Sequence, residues 1–476
     1  MVEQKQNIVV IGGGLTGLTS AFYLDKKIKE ENLPYQVVLV EASARLGGKM
    51  QTVYKDDFIV ERGPDSWLAS KTAISDLVKD AGLGDALTYN TPGNSFICAR
   101  GKLYTTPGGA VFGIPTELLP FAKSSLIPWM GKIRAGLDLF VPKTKSDGDI
   151  AMGPFFRRRL GNSLVDNLIE PLISGIYAGD LDNMSIMSTF PDLFLKEQKY
   201  GSLIVGMKAG RKNAPKPQIP ANTGNKPKGA FLSLSTGLES LATAIENKLV
   251  DVQILKETSV ENIEKINDLY QVELSNKETI EAATIIVSAG HESVPNMFSK
   301  YDFLNFFKEM PSTSVVNVTM AFPKEAVEKD INGGSIVVSR TSGYNITSCS
   351  WNHKKWPHTA PEGHVLMRVY VGKSGSGNHG IIHLSDEKLE EIALNDVSKH
   401  IKLKGKPIFS VVSRWKESMP QYTVGHKNRM AVMKEVAAEK LPGVYFAGAS
   451  YEGIGLSDCV SQGKQAVDKV LNFLNK

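Results

Sequence analysis

The chain has 476 residues, 42% of them hydrophobic and 22% charged, with a formal net charge of +5. That length fits about three domains at roughly 150 residues each, and the composition excludes collagen, coiled coil and extended disorder. A charge surplus so small for its length excludes a dedicated nucleic-acid binder.

The opening residues MVEQKQ run straight into an apolar strand and are not read as a signal peptide. Asn7–Ile11 reads as a buried parallel strand and Gly12-Gly13-Gly14-Leu15-Thr16-Gly17 as a turn. Leu15, Leu18, Phe22 and Leu24 form one face of a helix that runs to about Lys29. Gln36–Val40 is a second strand, ending at Glu41. From about Asp65 to Gly210 the pattern is mostly helical, as at Ser75–Asp80, Gly131–Leu139, Phe155–Arg159 and Leu164–Pro171. Within it, Ala110–Met130 is the least polar long stretch, but Glu117, Lys123 and three prolines interrupt it, which argues against a membrane-spanning helix.

Ala209–Ala230 holds four prolines and the basic residues Arg211, Lys212, Lys216, Lys226 and Lys228 without an acidic one, and reads as a mobile surface loop. A helix at Leu238–Lys248, an alternating meander over Asp251–Ile280 and an apolar strand at Thr284–Ala289 follow. Residues 310–415 are strand-rich, with runs at Ser314–Phe322, Ser335–Ser339 and Val365–Val371. The last 35 residues return to a strand, Val444–Ala447, a glycine-rich turn and a helix. The two ends are therefore expected in one domain, with the middle of the chain inserted into it.

Gly12-x-Gly14-x-x-Gly17 between a strand and a helix suits a pyrophosphate. The glycines allow the tight turn, the close approach of the anion and the packing of helix on strand, while the helix start offers free N–H groups. Glu41 lies 24 residues beyond Gly17, at the end of the next strand. There a carboxylate can accept from both ribose hydroxyls and disfavours a 2′-phosphate. Downstream, Glu41-Ala42-Ser43-Ala44-Arg45-Leu46-Gly47-Gly48-Lys49 can run back across the pyrophosphate. Near the C-terminus, Gly448-Ala449-Ser450-Tyr451-Glu452-Gly453-Ile454-Gly455-Leu456 opens a second helix, whose terminus would again favour negative charge.

The Glu-x4-Gly-Gly-Lys extension resembles that of the flavin amine-oxidase superfamily, in which FAD is bound. The resemblance narrows over Glu61-Arg62-Gly63-Pro64-Asp65-Ser66, Phe155–Gly161, Glu170–Asp180, Trp415–Tyr422 and the Gly-Ile-Gly turn at 453–455. These blocks are similar to the bacterial coproporphyrinogen/protoporphyrinogen oxidase family, most closely its soluble Gram-positive branch. The resemblance implies oxidation of coproporphyrinogen III to coproporphyrin III in haem synthesis, with non-covalent FAD, O2 as acceptor and H2O2 as product. Protoporphyrinogen IX is implied as a further substrate.

By the same resemblance, Gly12, Gly13, Gly14, Leu15, Thr16, Gly17, Glu41, Ala42, Lys49, Gly63, Pro64, Asp65 and Ser66 contact FAD. Val260 meets the adenine, and Trp415, Gly453, Ile454, Gly455 and Leu456 line the flavin. Lys71, Ile176 and Tyr370 line the substrate cavity. Arg368 and Arg157–Arg159 are candidate cations for the substrate's propionates, though three consecutive helical residues face three directions. Gly455-Leu456-Ser457 departs from relatives that have a proline shortly after the glycines.

The expected fold is α/β: a discontinuous, Rossmann-like FAD domain (1–70, 231–290 and 410–476) with an inserted mixed-sheet substrate domain (71–90 and 291–409). A helical domain at 91–210, a candidate for peripheral membrane contact, and a basic loop at 211–230 complete it. A cytoplasmic location is expected, because Cys98, Cys349 and Cys459 lie too far apart to suggest a disulfide framework or a close-spaced metal pair. His353/His358 and His379/His383 lack the His-Glu-x-x-His arrangement, so no metal is expected. No dedicated catalytic acid–base pair is expected either. Neighbouring haem-synthesis enzymes are candidate partners. The competing readings are another flavin oxidase or desaturase, and a non-catalytic escort protein on the same fold.

Overall fold

The structure is a computed structural model that describes residues 5–145, 148–213, 229–372 and 380–475. Its centre is a five-stranded parallel sheet in the order Gln253–Leu255, Tyr35–Val40, Gln6–Ile11, Thr284–Val287, Val444–Phe446. Ile8–Ile11, Val37–Val40 and Ile285–Val287 are buried on both faces, which is why these strands are continuous apolar runs rather than alternating ones. One face is covered by Leu15–Glu31, Glu239–Lys248 and Leu456–Leu474, through Leu18, Leu24, Leu241, Ile245, Val460 and Val467. Against the other lie the antiparallel meander Val260–Ile266, Leu269–Leu274, Thr279–Ala282 and the helix His426–Lys440.

The first and last helices approach closely because their facing residues are small. A Cβ on Gly463 would sit 2.9 Å from the Thr16 carbonyl oxygen. The Thr16 and Ser20 hydroxyls donate across the gap to the carbonyls of Cys459 (3.2 Å) and Gly463 (3.3 Å).

A second, seven-stranded sheet runs in the order Phe409–Pro420, Ser312–Pro323, His364–Val371, Ile346–Trp351, Ser335–Val338, Ser95–Ala99, Lys102–Thr105. Only Ser335–Val338 and Ser95–Ala99 pair in parallel. Beside it, Met152–Leu160, Glu170–Tyr177 and Pro191–Tyr200 build a helical body around Phe155, Phe156, Leu168 and Ile173. Leu119, Trp129, Met130, Ile133 and Phe140 lie exposed on this body. No helix among the described residues is long and apolar enough to cross a membrane.

Several expectations need correction. The stretch 65–210 is not mostly helical at its start. Ser95–Ala99 and Lys102–Thr105 form a hairpin whose turn residues, Arg100 and Gly101, have φ of 52° and 71°, and they join the large sheet rather than the helical body. Phe409–Pro420, placed by the sequence mainly with the C-terminal part of the parallel-sheet domain, is instead the edge of that same large sheet. The helix His426–Lys440 escapes the periodicity reading because it buries only His426, Met430, Met433 and Ala437. Residues 214–228 of the basic stretch lie outside the described residues, as does His379.

The triple arginine is structural. Arg159 is fully buried, 2.5 Å from Asp138 and 3.1 Å from Glu197, and also donates to the carbonyls of Asp138, Val141, Pro142 and Gly201. A charge taken out of water is tolerable only with such complete pairing. Arg158 donates to the Pro142 carbonyl and the Thr144 hydroxyl, and Arg157 pairs with Asp166 and Asp182. None of the three is left over for a substrate carboxylate.

Two stability predictions follow from buried charge. Arg159→Met strands Asp138 and Glu197, and chemical unfolding should show a loss of about 3–5 kcal/mol, whereas Arg158→Ala at the solvent edge should cost under about 1 kcal/mol. Glu61 accepts from the Leu238 N–H (2.7 Å) and the Thr52 hydroxyl (3.0 Å), and burial pushes its carboxyl up from the ordinary 4.5 to about 7. The folded state thus prefers the neutral acid, a contribution fully present below pH 4.5 and lost as pH rises through about 7. Glu61→Gln should therefore gain stability relative to wild type between pH 5 and pH 8, by roughly 3 kcal/mol at most. A pH-independent difference in urea unfolding would show that this carboxyl titrates normally.

Candidate functional site

The glycine turn follows the first strand. Gly12, at φ 97°, donates its N–H to the Val40 carbonyl (2.8 Å). A side chain on Gly17 would collide with the Gly12 carbonyl oxygen, while Gly14 faces open space. The helix starts at Leu15, so its first N–H groups lack intrahelical acceptors and border that space.

Gly47 donates to the Gly13 carbonyl at 2.8 Å, which lays the 45–50 segment beside the turn. The Arg45 guanidinium ties this segment together through the carbonyls of Leu46 (2.7 Å), Gly48 (2.5 Å) and Met50 (3.2 Å). Glu41 has a local role as well. One of its oxygens accepts the Gly13 N–H at 2.6 Å, and the other accepts the N–H and hydroxyl of Ser43 at 2.8 and 2.6 Å. A carboxylate has about four acceptor positions, so a further hydroxyl partner fits. Ala42 is exposed next to it. Val260 opens the meander two residues after Thr258, whose N–H meets the Glu41 carbonyl at 3.0 Å.

The loop 61–66 is held at the junction of the two large sheets. The Arg62 carbonyl accepts from Trp415 Nε1 (2.8 Å), Asn317 Nδ2 (2.9 Å) and Arg368 Nη2 (3.4 Å), and Arg368 also donates to the Gly63 carbonyl. A side chain on Gly63 would strike the Lys49 carbonyl oxygen, with the Trp415 ring next in line. Lys49 donates to the Ser418 carbonyl, and burial lowers its pKa from the ordinary lysine value. Pro64 stands between Gly63 and Asp65. Burial would raise the Asp65 carboxyl, but the charges of Lys355 and Arg368 and the Ser66 hydroxyl outweigh it and hold the group at about 2.

At the C-terminal turn, Gly448 and Gly453 have φ of 130° and 89°, and Gly455 precedes the helix Leu456–Leu474. Gln462, one turn and a half into that helix, accepts the Gly448 N–H at 2.9 Å and donates to the carbonyls of Glu452 and Gly453. Tyr422 donates to the Ala449 carbonyl (2.6 Å) and His426 Nε2 to that of Tyr451 (2.8 Å). The pattern of residue types does not point to Gln462, His426, Asn317 or Arg45 as site-shaping residues, because their partners are backbone groups.

The expected substrate residues fare unevenly. Lys71 pairs with Asp458 in the first turn of the last helix at 2.6 Å, and Ser457 donates to the Lys71 carbonyl at 2.8 Å. Lys71 thus belongs beside the C-terminal turn, with its charge already matched. Ile176 is 48% exposed at the end of its helix. Its neighbour Tyr177 has its hydroxyl pushed up to about 12 by burial, with the Asp458 charge adding to the effect. Tyr370 lies on the large sheet with the Arg368 guanidinium 4.9 Å from its ring centre. Arg368 is 2% exposed; its Nε and Nη2 donate to Asn317, Arg62 and Gly63, and its Nη1 lies 4.0 Å from the Asp65 carboxylate. It clamps the loop and faces the carboxylate of Asp65. Among the described residues no group of His, Cys, Asp or Glu is disposed to hold a metal; His353, for one, accepts the Leu366 N–H at 3.2 Å.

Comparisons agree with this arrangement. The sequence profile described as "Flavin containing amine oxidoreductase" matches residues 15–471. The chain is 47% identical over 474 residues to coproporphyrinogen III oxidase of Bacillus subtilis, covering 100% of both chains. It is 41% identical to the Staphylococcus aureus protein of the same name, over 98% of this chain and 99% of that one. Among solved structures, one from Exiguobacterium sp. 255-15, provisionally named a protoporphyrinogen oxidase, superposes with a TM-score of 0.86 at 35% identity over 99% of each chain.

Proposed function

The chain belongs to the flavin-containing amine oxidoreductase family, and from that premise we propose that it oxidises coproporphyrinogen III to coproporphyrin III, with O2 as acceptor and H2O2 as product. The observation that carries the substrate is the full-length identity of 47% to a protein named for that reaction. Protoporphyrinogen IX is the second reading, favoured by the name of the Exiguobacterium structure.

FAD fits the residues present. Gly14 leaves room for an anion where Gly17 does not, Glu41 keeps acceptor capacity, and the last helix offers a second N-terminus. In this reading Gly12–Gly17 hold the pyrophosphate, and Glu41 the ribose with Ala42 alongside. Val260 lies towards the adenine. Lys49, Gly63–Ser66, Trp415 and Gly453–Leu456 surround the ring system. When bound, FAD supplies the acceptor for hydride leaving a methylene bridge of the macrocycle and passes the electrons to O2.

The chain's own task is then positioning and exclusion of water. The Arg62–Gly63 clamp fixes one wall and the 448–455 turn another. Half-buried Tyr177 feels the charge of Asp458, which Lys71 pairs. No side-chain acid–base pair is required of the protein, since the pyrrole proton can leave to solvent or to O2-derived peroxide. With Arg157–Arg159 and Arg368 committed to structure, Lys71 remains the half-exposed cation beside the turn. Recognition of the substrate by several arginines is not part of the proposal.

Glu41→Leu removes the partner of the ribose and of Gly13 and Ser43. Loss of hydrogen bonds to a charged acceptor, roughly 1.5–3 kcal/mol, should weaken FAD binding about ten- to a hundredfold in a fluorescence titration while the fold survives. Unchanged affinity would place the carboxylate outside the cofactor site. For the reaction, a porphyrinogen differs from its porphyrin by six electrons, so roughly three two-electron cycles and three H2O2 are expected per porphyrin. Anaerobic mixing with each porphyrinogen should bleach the flavin, faster with coproporphyrinogen III. No bleaching with either compound would defeat the assignment, and faster bleaching with protoporphyrinogen IX would reverse the preference.

A further inference from the structure

We propose that Gln462, together with Tyr422 and His426, acts as a set of positioning residues. They claim the carbonyl oxygens of Ala449, Tyr451, Glu452 and Gly453, so that these four do not face the cofactor, and the N–H groups of the turn and the helix start raise its reduction potential. The proposal rests on the assignment of FAD to this site.

A glycine-rich turn carries as many carbonyl oxygens as N–H groups, and an unclaimed carbonyl aimed at an anionic ring would cancel the benefit of a helix start. Here five of the six oxygens of residues 448–453 are taken. That of Gly448 accepts the Tyr451 N–H at 3.0 Å. That of Ala449 accepts the Tyr422 hydroxyl at 2.6 Å and that of Tyr451 accepts His426 Nε2 at 2.8 Å. Those of Glu452 and Gly453 both accept the amide of Gln462, whose own oxygen takes the Gly448 N–H at 2.9 Å.

All three side chains are buried, Gln462 at 8% exposure and the other two at 2%. The Tyr422 ring stacks on His426 with centroids 4.2 Å apart and planes 14° apart, which fixes the imidazole's direction. A carbonyl can only accept, so His426 must carry its proton on Nε2. Its Nδ1 is consequently a bare nitrogen, buried without a partner. The fold tolerates that orphan, which costs free energy, and keeps the Tyr451 carbonyl occupied. Of the carboxylates here, Glu452 of the turn itself is paired with Lys434 at 2.6 Å and Asp458 with Lys71 at 2.6 Å.

The test compares Gln462→Met, which removes the amide's hydrogen bonds without adding charge, with Gln462→Glu, which can still accept from Gly448 but brings a negative charge. Both are purified with FAD and titrated against redox dyes, with melting temperature and oxidised-FAD affinity measured alongside. For Gln462→Met the preference for reduced over oxidised cofactor should fall about tenfold, which lowers a two-electron midpoint by about 30 mV, and Gln462→Glu should fall further. Tyr422→Phe, which deletes one donor, should shift the midpoint in the same direction by less, and decides the matter if the Gln462 variants do not fold. An FAD-replete variant that melts lower yet keeps the wild-type midpoint overturns the proposal alone. A wild-type protein that takes up no FAD overturns the cofactor assignment and this proposal with it.

Discussion

One peptide unit joins the two halves of this molecule. The Arg62 carbonyl takes hydrogen bonds from Trp415, Asn317 and Arg368, three residues of the large sheet, while its neighbour Gly63 is pressed against Lys49 from the parallel-sheet side. Because a Cβ at 63 would overlap the Lys49 carbonyl, the loop lies backbone to backbone on the 45–50 segment, while Phe58 and Val60 pack beside it on Ala321, Leu366 and Phe409 of the large sheet. The proposed cofactor site lies along this seam. Buried Arg368 and ionised Asp65 make the seam a charged one, and desolvation makes it tolerable only as a complete set. A site that must hold a large planar pair, cofactor and macrocycle, needs such a fixed gap.

How much of this could be read from the sequence depended on how few residue types can do a given job. The strand–turn–helix at 6–31 was legible because only glycine tolerates φ near +97° at position 12 and backbone contact at position 17. The second glycine-rich helix start was legible for the same reason. Gly63 and Trp415 were reached through family resemblance, since nothing in their local pattern tells of a contact that spans some 350 residues. Gln462, Asn317 and His426 left no sign, because any polar residue could occupy such positions and their partners are main-chain groups. Arg157–Arg159 show the opposite failure. A conspicuous run suggested substrate binding, but periodicity cannot tell that Arg159 is the member turned fully inward. Likewise the hairpin at 95–105 was hidden in a helical reading, because its short strands depend on pairing with Ser335–Val338.

The two glycine turns are built on one plan and differ in how they are supported. The first is braced by a carboxylate, Glu41, which accepts the Gly13 N–H and so leaves acceptor character near the ribose. The second is braced by donors, which take its carbonyls. One end of the site is thus arranged to meet hydroxyls and the other to meet developing negative charge, although both begin as a strand followed by glycine and a helix.

The parallel sheet draws its strands from residues 6–40, 253–287 and 444–446, and this order governs when the protein can become functional during its own synthesis. A nascent chain carries the first glycine turn and Glu41 long before the strand that closes the sheet and the helix that packs on Thr16 and Ser20. Parallel pairing across such separations is slow, because loop entropy must be overcome before contacts form. The early segments therefore wait, with apolar strands uncovered, until residues 444–474 have left the ribosome. A site that needs both glycine turns therefore awaits residues 444–474, and a chain stalled before residue 444 exposes apolar strands that invite aggregation.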